Sequence, residues 1–141
     1  MATYLVKTEP SEFSFADLLR AERTAWSGVS NPQALVYLRA TRVGDEVFVY
    51  HTGNEKAIVG LARVVRGCYE DPQRPGRTPD GDPRFAVIDL TPIRPAATPV
   101  TLAAIKCERR FKDFLLVKNS RLSVMPVPPA LDRAVRAMAG I

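Results

Sequence analysis

Three consecutive residues near the start of the chain, Lys7, Thr8 and Glu9, could do covalent chemistry. A lysine with a depressed pKa could activate the threonine hydroxyl while the carboxylate orients it. In an extended strand, however, Lys7 and Glu9 point to one face and Thr8 to the other, so the groups do not converge without a kink. The triplet is more typical of a strand end that leads into a turn at Pro10.

Two aromatic side chains could bind a flat ligand rather than react with one. Trp26 is the only tryptophan, and Tyr50 ends a run of apolar residues. A nucleic-acid base stacks on an aromatic ring with about 1–3 kcal/mol per base, and nearby amide, hydroxyl or main-chain groups can read its edge. The side chains that could read such an edge are Asn31, Gln33, Ser120 and Ser123.

Trp26 and His51 each have a structural interpretation as well. A single tryptophan is more often a core residue than a ligand platform. Gly28 favours the pocket, because Trp-x-Gly before a helix cap indicates a chain reversal with close backbone approach, and the following helix start would favour an acceptor group. For His51 the structural role is favoured, since nothing in the sequence pairs it with a carboxylate, and we treat it as a neighbour of the pocket.

The charge of the chain favours an anionic partner. Lys and Arg number 20 against 15 Asp and Glu, which gives a net charge of +5, and the pI is about 9.6. Six cations lie between Lys106 and Arg121, opposed only by Glu108 and Asp113. A solvated face and a phosphate-contacting patch are both open interpretations of this run. The candidate phosphate contacts are Arg109, Arg110, Lys112, Lys118 and Arg121.

Several kinds of site lack support in the sequence. One His and two distant cysteines, Cys68 and Cys107, do not make a zinc site. No GxGxxG, P-loop or GxSxG motif is present. We therefore expect no enzyme activity, metal or cofactor. With no signal peptide and no apolar run of ~18 residues, we expect a cytoplasmic protein, or a nuclear one in a eukaryote, that does not enter a membrane.

Capping and periodicity predict the elements that must position these residues. Ser14, with Asp17 three residues later, predicts a helix over residues 15–22. Asn31 followed by Pro32 predicts a second helix that runs to Arg39. Thr101 caps a short third helix over residues 102–107. A last helix has Pro129 near its start, an apolar face, and Gly140 just beyond its end.

The remaining elements are predicted strands and one long loop. Strands are expected over residues 4–7, 46–50, 57–66, 84–91 and 122–127. A hairpin loop at residues 52–55 joins the second strand to the third. Residues 67–83 contain seven Gly or Pro, which predicts a long surface loop rather than a domain linker. This order has no βαβ alternation and predicts a single α+β domain over residues 1–141 with a small curled sheet.

Four stretches resemble the EVE domain family of the PUA-like superfamily in order and spacing. They are residues 6–11 (VKTEPS), 26–34 (WSGVSNPQA), 50–52 (YHT) with 56–60 (KAIVG), and 120–127 (SRLSVMPV). The resemblance implies a PUA-like pseudobarrel of mostly antiparallel strands with peripheral helices. It also implies a non-enzymatic module that recognises a modified base, such as 5-methylcytosine or 5-hydroxymethylcytosine, in nucleic acid.

The resemblance also implies a set of site residues. The family's pocket motif, Trp-x-Gly-Val-Arg-Asn-x-Gln-Ala, matches at Trp26, Gly28, Val29, Asn31, Gln33 and Ala34. The base pocket would comprise Trp26, Ser27, Gly28, Val29, Ser30, Asn31, Gln33, Tyr50, His51, Ser120 and Ser123. Its rim would comprise Lys7, Thr8 and Glu9.

This chain departs from the family pattern at three positions. Ser30 stands where the family usually has Arg, and a hydroxyl cannot replace a bidentate guanidinium. Leu35 and Val36 stand where the family often has Arg-Asn, so two polar groups near the expected mouth are lost. The departures predict weaker binding or a changed selectivity.

Three functions therefore compete. The leading one is a binding module, expected to be a monomer, that reads a modified base in DNA or RNA. An amidohydrolase that acts on a modified nucleoside through Lys7, Thr8 and Glu9 is the second. A module for small molecules or proteins is the third. Turnover would separate the second from the others, and steep salt dependence would separate the first from the third.

Overall fold

The computed structural model describes all 141 residues as one mixed sheet with helices around it. The strands are β1 (Thr3–Thr8), β2 (Thr24–Trp26), β3 (Glu46–His51), β4 (Ala57–Glu70), β5 (Ala86–Thr101) and β6 (Val124–Pro126). The helices are α1 (Phe15–Ala21), α2 (Pro32–Ala40), α3 (Leu102–Lys106), α4 (Leu115–Lys118) and α5 (Pro129–Ala139), with a 3₁₀ turn at Arg109–Phe111. None of the helices is long and apolar enough to cross a bilayer.

The strands lie in the order β2, β5, β4, β3, β1, β6. β1 pairs in parallel with β3, and every other pairing is antiparallel. The two longest strands, β4 and β5, shift their register at four places along their length. Because such irregularities bend a strand and increase its twist, the sheet curls into a half-barrel. The predicted α+β pseudobarrel is confirmed.

Three predicted helix starts are confirmed by the hydrogen bonds of their caps, and the last helix begins at Pro129 without a side-chain cap. Ser14 Oγ accepts from the Asp17 amide at 3.1 Å, and the Asp17 carboxylate accepts from the Ser14 amide at 2.8 Å. Asn31 Oδ1 accepts from the first free amides of α2, and Thr101 Oγ1 accepts from Ala104 in α3. These caps accept hydrogen bonds from the amides that a helix leaves free in its first turn. Because the cap and those amides are neighbours in sequence, the sequence predicts them.

Strand β5 is much longer than the strand predicted over residues 84–91. The stretch after Thr91 contains prolines, and proline cannot donate to a sheet ladder. In the structure Pro92 lies opposite Ala62 and Pro95 lies opposite Gly60, next to register shifts between β4 and β5. Proline is tolerated there because the ladder is already interrupted.

Two further boundaries differ from the predictions. The loop predicted over residues 67–83 begins later, because β4 continues to Glu70, and it occupies residues 71–85. Gly67 lies inside β4 beside a register shift, where glycine does not end a strand. Strand β2 was not predicted at all, since three residues are too short to show an alternating pattern.

Gly60 allows a close packing contact between helix α1 and the sheet. A Cβ atom at this position would lie 2.5 Å from the Phe15 ring, and Phe15 is buried at the start of α1. We expect Gly60→Ala to lower the free energy of unfolding by about 1–3 kcal/mol, because the ring must move. Gly67→Ala on the same strand is the matched control, since a Cβ there meets nothing within 4 Å. Urea denaturation of both variants measures this, and equal stabilities would contradict it.

Candidate functional site

An open cavity of about 470 Å³ lies between the end of β1 and the short strand β2. β1 and β2 are four places apart in the sheet, so only the curl of the sheet brings them together. Eight of the residues that the sequence placed in the pocket or its rim line this cavity. Its lining comprises Lys7, Thr8, Glu9, Glu12, Phe13, Thr24, Ala25, Trp26, Ser27, Gly28, Val29 and Ser123.

Trp26 is both a core residue and a wall of the cavity. Its side chain is 8% exposed, and its backbone pairs with Ile88 of β5. The Phe13 ring meets it edge-to-face, with centroids 6.1 Å apart and an interplanar angle of 80°. The two interpretations of Trp26 are therefore compatible, because the ring is packed on most sides and reaches the cavity with the remainder.

Lys7 brings an unpaired cation to the cavity. Its ammonium donates to the Ser120 carbonyl at 3.0 Å and lies 5.7 Å from the centroid of the Tyr50 ring. No carboxylate pairs with it, and burial lowers its pKa. An ammonium has three N–H donors, and one is used here, so two remain for a ligand.

Glu9 brings a carboxylate to the same cavity. Its Oε1 accepts from both the amide and the hydroxyl of Ser11, and its Oε2 accepts from the Thr52 hydroxyl at 3.2 Å. These hydrogen bonds, led by the Ser11 amide, lower the pKa of Glu9. A carboxylate has about four acceptor positions, so about one is left for a ligand. Gly53 makes room, because a Cβ there would lie 2.8 Å from Oε2.

Thr8 is not arranged as a nucleophile. Its hydroxyl donates to the Phe13 carbonyl at 2.6 Å, which holds the turn between β1 and α1. The proton that a lysine base would have to remove is therefore engaged with a main-chain acceptor. This geometry weakens the amidohydrolase interpretation of Lys7, Thr8 and Glu9.

The segment that follows Trp26 forms one wall of the cavity and is braced from outside. Gly28 has φ +81°, which lets the chain turn back after β2. Arg74, from the loop over residues 71–85, donates to the Val29 carbonyl at 3.0 Å and to Ser30 Oγ at 2.8 Å. Its guanidinium also lies 4.1 Å from the centroid of the Phe85 ring. The wall is thus held by a loop that lies far along the sequence.

Several predicted pocket residues do not line the cavity. Asn31 is the cap of α2, and Gln33 is exposed in the first turn of that helix. Ser30 faces the far side of the wall, in a second groove that also contains Leu35 and Val36. Leu35 is a buried core residue and Val36 is half exposed. The expected mouth of the pocket at these positions is therefore separated from the cavity.

Tyr50 and His51 lie behind the cavity. Tyr50 is buried, its contact with the cavity runs through Lys7, and burial raises its pKa. His51 Nε2 accepts from the buried Phe15 amide at 3.0 Å, so Nδ1 carries the proton and donates to Glu55 at 2.8 Å. The sequence-based view that no carboxylate pairs with His51 was wrong, because the turn over residues 52–55 brings Glu55 back.

The basic run over residues 106–121 does not reach the cavity. Arg109, Arg110, Lys112, Lys118 and Arg121 are all exposed. Arg110 pairs with Glu108 at 2.7 Å and Lys118 with Asp113 at 3.6 Å. Ser120 supplies only its carbonyl, as the acceptor for Lys7.

Sequence reasoning missed the group that holds β2 in place. Asp89 on β5 lies opposite Ala25 on β2. Its Oδ2 accepts a hydrogen bond from Arg23 at 2.9 Å, and its Oδ1 accepts one from the Tyr69 hydroxyl at 2.5 Å. It also missed Phe13, whose position before the Ser14 cap is typical of an apolar contact at a helix start. Neither residue carries a sequence signal for a pocket.

Comparisons with known proteins cover nearly the whole chain. The EVE domain family model matches residues 2–138. Human thymocyte nuclear protein 1 is 28% identical over 152 residues, which cover 88% of this chain and 68% of the human protein. The solved structure of Rpa0253 from Rhodopseudomonas palustris is 41% identical with a TM-score of 0.88, over 99% of this chain and 94% of that one. Human THYN1 in complex with DNA containing 5-methylcytosine is 27% identical with a TM-score of 0.88, over 100% and 99%.

His51 should matter for folding rather than for ligand choice. We expect His51→Leu to lower the free energy of unfolding by about 1–3 kcal/mol, because the buried Phe15 amide loses its acceptor. Glu55→Gln keeps an oxygen for Nδ1–H at an exposed position and should cost less than about 1 kcal/mol. Denaturant unfolding compares the two. A His51→Leu protein with unchanged stability and altered ligand preference would assign His51 to binding instead.

We expect the Tyr69 hydroxyl to lose its proton at a higher pH than an ordinary tyrosine. Burial, the hydrogen bond to Asp89 and the charge of Asp89 raise its pKa from 10.0 to about 12. The unfolded chain then loses this proton first, so the contribution to stability is complete below pH ~10 and is lost as pH rises towards 12. Tyrosinate absorbance during a pH titration measures the transition, with Tyr69→Phe to identify it. Asp89→Asn should lower that pKa, and an unchanged transition would refute the link.

Proposed function

Because the chain belongs to the EVE domain family, we propose that it is a non-enzymatic module that binds DNA and holds one modified cytosine in the cavity beside Trp26. The family assignment confirms the resemblance of the four sequence stretches. The solved chain of human THYN1, which shares the fold over 99% of its residues, has been crystallised with DNA containing 5-methylcytosine. The single observation that carries the proposal is the meeting of an aromatic wall, a free donor and a free acceptor in one cavity.

The size of the cavity suits one base. About 470 Å³ lies within the range of roughly 300–1,000 Å³ that is usual for small-ligand sites. A base inside a duplex cannot enter a cavity of this kind, so the nucleotide must leave the stack or come from a single strand. Trp26 and Phe13 then provide aromatic surface that offsets part of the lost stacking.

The polar groups favour cytosine over thymine. Cytosine presents an amino donor beside a ring nitrogen and a carbonyl that accept, whereas thymine presents a carbonyl in place of the amino group. The remaining acceptor position of Glu9 suits the amino group, and the free donors of Lys7 suit an acceptor on the same edge. Thymine would place its carbonyl oxygen against the Glu9 carboxylate. Val29 supplies apolar surface for a methyl group on the base.

Glu9 provides a sharp test of base reading. We expect Glu9→Gln to reduce the preference for 5-methylcytosine over thymine by about 1–3 kcal/mol, roughly fivefold or more, because the acceptor for the amino group is weakened. Glu12→Gln is the matched control, since Glu12 lines the same cavity and the charge change is equal. Fluorescence anisotropy with short oligonucleotides that differ in one base measures both.

The outcomes separate the competing functions. The oligonucleotides should carry cytosine, 5-methylcytosine, 5-hydroxymethylcytosine or thymine, in single- and double-stranded form, with RNA versions alongside. Wild-type binding with no preference among these bases would overturn the proposal. Loss of preference in Glu12→Gln but not Glu9→Gln would overturn the assigned reading of the base edge. Turnover of a modified nucleoside would favour the amidohydrolase.

A further inference from the structure

A second groove lies directly behind the wall of the base cavity. It has a volume of about 670 Å³ and runs between α2 and the loop over residues 71–85. Ser30 lines this groove, whereas Val29, the residue before it, lines the base cavity. The Arg74 guanidinium donates hydrogen bonds to both residues of this shared wall. The base cavity and this groove, which we call the arginine groove, therefore lie on the two sides of one wall.

The arginine groove contains two cations that no carboxylate neutralises. Arg39 donates to the main-chain carbonyls of Pro83 at 2.9 Å and Arg84 at 3.1 Å, and it forms no ion pair. The Arg84 side chain is exposed and unpaired, 6.0 Å from the centroid of the Phe85 ring. The third arginine of the groove, Arg77, pairs with Glu70 at 3.1 Å.

Because Arg39 and Arg84 lie in a concave groove, they should attract an anion more strongly than the exposed cations of the basic run over residues 106–121. A cleft focuses the field of its charges and raises the local concentration of anions. In the basic run, Arg110 and Lys118 are neutralised by neighbouring acids, and no residue of the run lines the base cavity or the arginine groove. The sequence placed the phosphate contacts in that run, but the geometry favours the arginine groove.

We propose that the arginine groove holds the sugar–phosphate backbone that flanks the base in the cavity, with phosphates at Arg39 and Arg84. This inference rests on the proposed function. The two carbonyl bonds hold the Arg39 guanidinium in place before binding, so little side-chain freedom is lost when a phosphate arrives. Val36, half exposed on the same groove, offers apolar surface to a deoxyribose ring.

Salt dependence tests the proposal, because each phosphate contact contributes about 0.7 to the slope of log K against log salt for a single strand. Binding of a short single-stranded oligonucleotide with one 5-methylcytosine is measured by anisotropy over a range of salt concentrations. We expect Arg84→Gln to reduce the magnitude of the slope by about 0.7 with unchanged base preference. Arg84→Lys should keep the slope, and Arg109→Gln, in the basic run, should keep it too.

The variants distinguish a failure of the groove from a failure of the proposed function. Arg84 is exposed, and its contact with Arg39 is made by its carbonyl, so both substitutions should leave the fold intact. An unchanged slope in Arg84→Gln, with a reduced slope in Arg109→Gln, would overturn the groove and leave the base cavity standing. A reduced slope in Arg84→Gln, with no base preference in the wild type, would support the groove and overturn the proposed function.

Discussion

The irregular pairing of β4 with β5 is the constraint on which the rest of this structure depends. A flat sheet would leave β2 and β1 about four strand spacings apart, roughly 19 Å. The register shifts bend the sheet so that Trp26 on β2 and Lys7 on β1 share one cavity. The same irregularities accept Pro92 and Pro95, which would interrupt a regular ladder. Prolines that resemble strand breakers thus lie at the irregular positions of the curled sheet.

Some polar groups in and behind the cavity hold the structure, and others keep hydrogen-bonding capacity for a ligand. Thr8 holds the turn after β1, His51 accepts a buried amide at the start of α1, and Asn31 caps α2. A ligand that took over one of these hydrogen-bonding atoms would break the existing bond, at a cost in stability. Lys7 and Glu9 keep free hydrogen-bonding capacity in the cavity, and they carry the proposed selectivity.

The cations that are available to a ligand are likewise those that no acidic side chain already pairs with. A net charge of +5 says only that an anion is favoured, because it does not say which cations are already paired. Ion pairs along the chain neutralise part of the conspicuous basic run, whereas Arg39 is held by neutral carbonyls and keeps its full charge. The base cavity and the arginine groove share a wall that Arg74 braces, and the proposed binding of a base and its backbone uses both sides of that wall.

The sequence by itself determined the local structure and the family. Caps such as Ser14 and Asn31 act within one helical turn, so their effect can be read from neighbouring residues. It did not reveal β2, the extent of β5, or the partners of His51 and Ser30. Those depend on contacts between residues far apart in the chain, such as Arg74 with the wall after Trp26. The spacing of residues along the sequence does not predict which distant side chains come into contact. The curl of the sheet determines those contacts.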